Sequence, residues 1–469
     1  MSSRTQNTKY QKLNDGAATV LVMIMGVVSV IVLGGLVVLA STNQVAVERR
    51  VANDQALAVA EAGVNYYRWH LAHHPDDYTD GTGNPGPYVH EYKDPQGGLV
   101  GTYSLEITPP SAGYSIVSIT STGWTAVNPG IKRVVRVRYG IPSLARFSFL
   151  HNANVWFGQG LTVHGRVLSN GGIRQDGVND SVIQSARETY TCGSETGCSP
   201  SQPRPGVWGS GGPSELWEFP VPPADFDAIN VDFNAIRTAA QSTNTYWGPS
   251  PRQGYHLVFE ASGQVRVYEV VSTNYYRGYD SGVGCTNLYQ RITSENQLTV
   301  VNLDTPKSLL FEDTVWIEGT VKGNATVAAA RFPLDSYNED VWIRGNLVYS
   351  AKDGKNHLGL IAQRNIYFVK DLPEPFEING ALLAKNGKII RHHYRASGCS
   401  SYSNAVRSRL EIYGAVISNL KSYWNWGTPP SSGFTTREVT YDSSLYLYPP
   451  PYFPASGDYE VISWDELPP

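Results

Sequence analysis

Acidic and basic residues recur at matched positions in the C-terminal half of the sequence, and such a pattern could support the cleavage of polysaccharides. Enzymes of that kind bring two carboxylates together on one face of the protein, where one acts as an acid and the other as a base or nucleophile. The candidates here are Asp313, Glu318, Asp340, Glu377, Arg344 and Arg364.

The surroundings of these residues favour structural roles over catalysis. Asp313 and Asp340 precede the Trp-Ile pairs of their repeats, at strand starts where turn-forming acids are expected. Glu318 and Arg344 occupy the same repeat position, where they could form an ion pair between neighbouring strands. The sequence contains no G-x-S-x-G, H-E-x-x-H or P-loop pattern. We therefore predict a protein that is not an enzyme, with no catalytic residues and no cofactor.

Three tryptophans share one position of these repeats, namely Trp156, Trp316 and Trp342. If they face solvent, the stacked rings could bind a surface glycan or a protein ligand. In the segment "TVWIEG", Val315 and Ile317 flank Trp316 and point to the opposite face of the strand. Because aliphatic pairs usually belong to the core, this alternation favours an exposed row of tryptophans. Core packing and cover by an insertion at about 175–300 are alternatives that alternation leaves open.

The elements that carry these residues are weak internal repeats in which apolar and polar residues alternate. Four of them are "TVWIEGTVKGNATV", "DVWIRGNLVYS", "FEINGALLAKNG" and "LEIYGAVISNL", and we predict a turn at the glycine of each: Gly319, Gly345, Gly380 and Gly414. These glycines are 26, 35 and 34 residues apart. Such periods fit the coils of a parallel β-solenoid, and a β-sandwich is the alternative.

The solenoid is predicted at residues 144–420, with an insertion at about 175–300. Within the insertion, "DFNAIRTAAQ" predicts a short helix and "YHLVFEASGQVRVYEV" predicts a hairpin. Residues 421–469 are rich in proline and aromatic residues, which predicts an extended strap over the end of the solenoid.

Four cysteines lie in this half of the chain: Cys192, Cys198, Cys285 and Cys399. They could form disulfides if this part lies outside the cell. The simplest of three connectivities closes "CGSETGC" as a small loop and leaves the other two cysteines as a second pair. No C-x-x-C spacing is present, and we predict no metal site.

The length of the chain, 469 residues, leaves room for two or three domains. Its formal net charge of −4 gives no overall field that would attract nucleic acid, so we expect no nucleic-acid partner. The abundance of Tyr (29), Gly (45) and Pro (29) favours short strands joined by tight turns over helical bundles.

An uncharged segment of 24 residues, 17–40, follows the polar N-terminus. As a helix it would be roughly 36 Å long, enough to cross a hydrocarbon core, and it is too long for a cleavable secretory signal. Arg4, Lys9 and Lys12 precede it and predict a cytoplasmic N-terminus, with the bulk of the chain outside the cytoplasmic membrane.

The predicted helix continues to residue 75, because the sequence "VAVERRVANDQALAVAEAGVNYYRWHLAHH" is free of proline. Its apolar stripe consists of Leu57, Ala60, Val64, Tyr67 and Leu71. Residues 99–140 then contain three strand-like runs separated by Pro/Gly turns, which predicts a small antiparallel sheet domain at 76–143 that covers the stripe.

A basic N-terminal segment that ends in Gly16, followed by an apolar helix that continues into "QALAVAEAG", resembles the type IV prepilins and is most similar to the PilX-type minor pilins. The family's "AEAG" matches Ala60, Glu61, Ala62 and Gly63. The resemblance implies a leader at 1–16 that a prepilin peptidase removes, leaving Ala17 as the new N-terminus. Major pilins carry Glu as the fifth mature residue, where this chain has Leu21, and this departure favours a minor subunit.

Residues 145–469, whose end contains "PPPYFP" and "YEVISW", are similar to β-solenoid regions found on PilX-type proteins, and this second resemblance implies no known activity. Together these observations predict an α+β protein: a long transmembrane pilin-type helix with a small antiparallel sheet, followed by a mainly-β distal domain. The expected function is a minor structural subunit of a type IV pilus or type II secretion-like filament, partnered by other pilin-like subunits. The alternatives are a single-pass surface adhesin and, less favoured, an anchored polysaccharide enzyme.

Overall fold

The computed structural model of the chain describes residues 11–226, 229–455 and 459–468, so residues 1–10 of the predicted leader lie outside the described residues. The described chain divides into two compact units. The first contains residues 11–109, 118–138 and 464–468, and the second contains residues 110–117, 139–226, 229–455 and 459–463. The predicted boundary at 143 therefore lies near the division, whereas the last residues of the chain belong to the first unit.

The first unit is built on α1 (Gln11–His73), a single helix of 63 residues. Residues 16–51 are exposed and mostly apolar along almost their whole length. Within the described part of the chain, α1 is the one helix long and apolar enough to cross a membrane. The prediction of one continuous apolar helix is confirmed, and this helix could serve as a membrane anchor.

The C-terminal part of α1 packs on an antiparallel sheet whose strands are β1 (Tyr88–Lys93), β2 (Leu99–Thr108), β3 (Val117–Thr125) and β4 (Lys132–Gly140). The last three are the strands predicted from residues 99–140, and β1 adds a fourth. The helix side chains buried here are Ala52, Ala56, Val59, Ala60, Val64, Tyr67 and Leu71. Leu57, which we predicted in this stripe, is only half-buried because it lies at the margin of the contact.

The second unit is mainly β-structure. Its strands are β5 (Phe149–His151), β6 (Val155–Phe157), β7 (Leu161–His164), β8 (Val167–Ser169), β9 (Ile173–Gln175), β10 (Val178–Asn179), β11 (Ile183–Ser185), β12 (Thr189–Cys192), β13 (Gln202–Pro205), β14 (Val207–Trp208), β15 (Trp217–Glu218), β16 (Tyr246–Trp247), β17 (Tyr255–Glu260), β18 (Gln264–Asp280), β19 (Gly284–Asn302), β20 (Lys307–Phe311), β21 (Val315–Val321), β22 (Asn324–Ala329), β23 (Val341–Tyr349), β24 (His357–Ala362), β25 (Ile366–Phe368), β26 (Phe376–Ala384), β27 (Ile389–Arg391), β28 (Val406–Ser418), β29 (Asn425–Trp426) and β30 (Ser432–Thr440). Two helices, α2 (Ile229–Ser242) and α3 (Ser444–Leu447), accompany them. A final strand, β31 (Glu460–Leu467), follows β4 in the order of the first sheet.

Most pairings in the second unit are parallel and link strands from successive repeats. One column runs in the order β16, β20, β22, β24, β26, β28, β5, β8, β11 and β15. Another joins β28, β30, β7 and β10. The coarse prediction of a long apolar helix with a mainly-β remainder is confirmed, and the β-solenoid stays a prediction.

The strands between the two ends of the first column are buried on both faces, which explains the apolar runs of β22 and β24, whereas β15 and β16 at its ends are only half-buried or exposed. On one face aliphatic and aromatic side chains stack in register, from Leu309 through Val327, Leu360, Leu382, Val416 and Phe149 to Val167. On the other face Leu310 belongs to a second cluster that contains Phe233 and Ile236 of α2. The predicted short helix is therefore confirmed, and it packs against β16 and β20 at one end of this column.

Two sequence predictions need correction. Gly319, Gly380 and Gly414 lie inside β21, β26 and β28 instead of in turns, and all three have positive φ. A Cβ on Gly414 would lie 2.0 Å from the carbonyl oxygen of Gly380, so glycine is needed where the stacked backbones bend at close range. Gly345 lies inside β23 as well.

The second correction concerns the tail at 421–469. It contains β29, β30, α3 and β31 instead of one extended strap. Strand β30 pairs with β28 and β7 in a parallel column. The segment "SGFTTREVT" of β30 contains no proline and alternates in part between apolar and polar residues, as a strand does. The prolines that suggested a strap lie outside it, at 429–430, 449–451, 454 and 468–469.

Candidate functional site

The "AEAG" motif lies where α1 contacts the sheet of the first unit. Ala60 and Gly63 are buried, whereas Glu61 and Ala62 are half-buried. A Cβ on Gly63 would lie 2.4 Å from Ser121 Oγ, so the glycine lets the helix approach the sheet closely. The motif therefore contributes small residues at a tight helix–sheet contact.

Gly16 and Ala17, the residues of the predicted processing site, are exposed within α1. A Cβ added to Gly16 would meet no atom within 4 Å. Packing against the residues that the structure describes thus gives no reason for a glycine at this position.

The four cysteines form the simplest of the three connectivities. Cys192 is bonded to Cys198, six residues away, and Cys285 is bonded to Cys399, 114 residues away. The second bond joins the start of β19 to the loop before β28. It therefore attaches the long antiparallel hairpin β18–β19, which the sequence did not predict, to the parallel columns.

The three tryptophans do not form one exposed row. Trp316 pairs in register with Trp342, and Trp342 with Tyr367, but Trp316 and Trp342 are only 2% and 7% exposed. The hairpin β18–β19 covers them, since Trp316 Nε1 donates a hydrogen bond at 3.1 Å to the carbonyl oxygen of Gln290 in β19. The alternation correctly placed the rings opposite the aliphatic face, and the prediction of solvent exposure is wrong because β19 lies over that face.

Trp156 lies apart from this pair, in β6, where it pairs with Arg174 of β9. It is 39% exposed, and the guanidinium of Arg174 lies 4.2 Å from its ring centroid. Its Nε1 donates a hydrogen bond to Asp176 Oδ2 at 2.8 Å. Of the three predicted binding tryptophans, Trp156 is thus the accessible one.

The carboxylates considered for catalysis all have partners. Asp340 receives two hydrogen bonds from Arg364, at 2.9 and 2.5 Å. The predicted ion pair between neighbouring strands is present, with Arg344 Nε 3.5 Å from Glu318 Oε1. The remaining contacts are Glu377 Oε1 with Lys352 Nζ at 2.9 Å and Asp313 Oδ2 with Ser250 Oγ at 2.7 Å.

One acidic residue that the sequence did not single out is Glu339. Burial, together with the nearby charges of Asp313 and Asp340, raises the pKa of Glu339 to about 7. Such a shift can mark a proton donor or acceptor, but buried charge networks produce it as well. Nothing in the local sequence beyond the adjacent Asp340 signals it.

Two cavities adjoin the tryptophans. The larger, of 580 Å³, lies beneath the hairpin and is lined by Trp316, Trp342 and Tyr367 together with two charge pairs. These pairs are Asp340 with Arg364 and Asp280 with Lys388, whose Nζ lies 2.7 Å from Asp280 Oδ1. The smaller cavity, of 220 Å³, is lined by Trp156 and contains no Asp or Glu in its lining. Within the described residues, no cluster of three or more His, Cys, Asp or Glu could hold a metal ion.

We predict that acid destabilises the second unit through two buried histidines. Burial lowers the pKa of His151 to about 3 and that of His392 to about 4. The folded state therefore keeps both rings neutral, whereas the unfolded chain takes up protons below a pKa of about 6.5. The free energy of unfolding should fall by about 2 kcal/mol per histidine between pH 6.5 and 4.5. Denaturant titrations monitored by tryptophan fluorescence at several pH values would measure this.

Glu339 acts in the opposite direction, because its raised pKa favours the folded state as the pH falls from 7 towards 4.5. Glu339→Gln should therefore make the acid-induced loss steeper, and His392→Phe should make it shallower. An unchanged slope in His392→Phe would contradict the assignment.

The comparisons with known proteins give a distant likeness among solved structures. Neither a protein-family model nor a curated protein matches the sequence. Among solved structures, the chain is similar to the competence-associated pilin ComZ from Thermus thermophilus, with 15% sequence identity and a TM-score of 0.30. The match covers 89% of this chain and 97% of that chain. Because the TM-score is so low, this likeness does not by itself assign a function to the chain.

Proposed function

We propose that the chain is a minor pilin-like subunit that enters a type IV pilus or type II secretion-like filament through α1. The observation that carries the proposal is the division of this helix into two parts. Residues 16–51 are almost entirely exposed and mostly apolar, whereas the later turns are packed on the first unit's own sheet. A plain membrane anchor does not require the same helix to continue into a soluble core.

The exposed apolar part needs a partner that the described part of the chain does not supply. Before assembly this partner is the membrane, and after assembly it is the apolar helices of neighbouring subunits. At Leu21 the helix lacks a buried carboxylate that could pair with the N-terminal amine of a neighbour. The subunit is therefore placed at rare or terminal positions of the filament.

The second unit is proposed to be a β-solenoid that the filament displays outside the cell, without enzymatic activity. Support comes from the ten-strand parallel column, the register between Gly380 and Gly414, and the two disulfides. The paired state of the candidate carboxylates favours a structural or binding role. A surface glycan or a protein is the proposed type of ligand.

The proposed function predicts cleavage after Gly16 by a prepilin peptidase. Mass spectrometry of the protein from its native membrane or sheared surface fraction should find Ala17 as the N-terminal residue. Gly16→Val should leave the leader attached and keep the protein in the membrane fraction. Gly26→Val is the matched control, since this glycine also lies in the exposed apolar helix and meets no atom within 4 Å.

Two outcomes would overturn the filament model. An intact Met1 in the native protein would leave a single-pass surface adhesin, the alternative from a different class. A start after residue 40 would indicate a secreted protein. Normal processing of Gly16→Val would show that the glycine is not the cleavage determinant.

A further inference from the structure

A buried arginine that has no carboxylate partner among the described residues lies at the smaller cavity. Arg437 is 7% exposed and lines this cavity. Its guanidinium donates to Asn425 Oδ1 and to the carbonyl oxygen of Gln159, the latter at 2.6 Å. Its Nε has no hydrogen-bond partner among the described residues, and burial alone lowers its pKa to about 10. Because a buried charge is costly unless it is paired, this side chain is suited to an anion.

Aromatic rings form the walls beside this charge. Phe149, Phe157 and Trp424 line the cavity, with the Phe149 ring centroid 4.9 Å from that of Phe157 and 5.9 Å from that of Trp424. The cavity volume of 220 Å³ is below the range typical of drug-sized ligands. The space therefore suits one ring with its small substituents.

The rim adds a second positive charge and an exposed aromatic face. Lys421 Nζ lies 5.8 Å from the ring centroid of Trp156, and both residues line the cavity. Burial lowers the pKa of Lys421 to about 8 against the opposing charge of Glu195, so the amine is mostly protonated at neutral pH. Its Nζ also donates a hydrogen bond to the carbonyl oxygen of Glu195. Arg437 and Lys421 thus provide two cationic groups in the lining. Among the described residues, the lining itself contains no carboxylate, and Glu195 near Lys421 and Asp176 at Trp156 lie outside it.

His151 supplies a neutral polar group inside the same cavity. It is buried, and its Nδ1 has no hydrogen-bond partner in the described chain. A ligand hydroxyl could donate to this nitrogen or accept from it, depending on the tautomer.

We propose that this cavity binds a small ring compound that carries a carboxylate. The carboxylate would pair with Arg437 and Lys421, and the ring would pack between the aromatic walls and Trp156. The same chemistry could come from an acidic sugar at the end of a glycan or from a free aromatic acid. The proposal goes beyond filament assembly and does not depend on cleavage at Gly16.

Two comparisons within the molecule support this choice of site. Arg391 is also buried, but it donates to the carbonyl oxygens of Val369 and Lys370 and does not line the cavity. The larger cavity has its positive charges paired with Asp280 and Asp340. The smaller cavity therefore combines a buried cation, a missing counter-charge and accessible space.

The test uses the full chain in detergent micelles and ligand-observed NMR titrations with glucuronate, methyl glucuronide, benzoate and glucose. Glucuronate or benzoate should bind at least about tenfold more tightly than glucose, because the carboxylate gains charge-assisted hydrogen bonds. Methyl glucuronide binding would point to the end of a glycan, and benzoate binding alone would point to a free aromatic acid. Affinity for the acids should also fall as the pH rises above about 8, where Lys421 loses its charge.

Variants separate this site from other surfaces. Lys421→Gln and Trp156→Ala should each weaken binding of the acid about tenfold, and Lys421→Gln should also abolish the pH dependence. Trp464→Ala is the control, because this tryptophan is similarly exposed and lies in the first unit. Equal affinity for glucose, no saturable binding of any acid, or unchanged affinity in both cavity variants would overturn the proposal.

Discussion

Gly123→Ala is expected to destabilise the first unit by about 3 kcal/mol, because no space exists for one additional carbon between α1 and the sheet. A Cβ at Gly123 would lie 2.3 Å from the backbone nitrogen of Ala60 and 2.5 Å from the carbonyl oxygen of Ala56. These are backbone atoms of a helix, which cannot rotate away as a side chain can. The helix would have to move off β3, and the buried stripe beneath it would lose its packing.

Denaturant unfolding of the full chain in micelles, with limited proteolysis of residues 52–73 as the local readout, would measure this loss. Gly130→Ala is the matched control in the same unit, because a Cβ there meets no atom within 4 Å. Gly63→Ala should cost less, since its nearest atoms belong to the side chains of Ser121 and Tyr103. Equal stability of the Gly123 and Gly130 variants would show that the helix–sheet contact is looser than described.

This contact also shows how far the sequence predicts the first unit. The length of the helix and the strands at 99–140 follow from apolar periodicity and Pro/Gly spacing, and both predictions are confirmed. The stripe was predicted only in part, because Ala52 and Ala56 give a weak hydrophobic signal although both are buried. The need for glycine at position 123 depends on distances between two elements, which no local pattern contains.

In the second unit, the alternation of apolar and polar residues predicted where strands occur better than it predicted where they end. Gly380 and Gly414 were interpreted as turns because glycine at positive φ is common in turns. The same conformation is used here inside β26 and β28, where the stacked backbones bend together. Sequence alone does not separate these two uses of glycine.

The candidate site was predictable only where it depends on local pattern. Alternation identified the face on which Trp316 lies, but its burial depends on Gln290 in a hairpin that was not predicted. The buried charge of Arg437 arises from segments at 149–161 and 421–437, which are far apart in the chain. Such electrostatic properties follow from tertiary contacts and leave no local signal.

The hairpin that covers the tryptophans is held by a covalent bond at its far end. Cys285 lies at the start of β19, and its bond to Cys399 closes a loop of 114 residues. The bond between Cys192 and Cys198 closes a loop of only six residues in a separate small cluster with Tyr190. The two bonds differ in loop length. Removing each in turn would therefore show how the stabilisation of this unit by a cross-link depends on the length of the loop that it closes.

Removing the longer cross-link with the double variant Cys285→Ala/Cys399→Ala should cost about 5 kcal/mol, against about 2 kcal/mol for Cys192→Ala/Cys198→Ala. The difference follows from loop-closure entropy, since the unfolded chain gains more freedom when the longer loop opens. Denaturant midpoints of both variants would measure the two losses, and hydrogen exchange would show whether residues 264–302 lose protection only in the first. Exposure of Trp316 should accompany that loss, because β19 is its cover. If the six-residue loop proved the costlier one, local packing around Tyr190, and not chain entropy, would govern the stability of this unit.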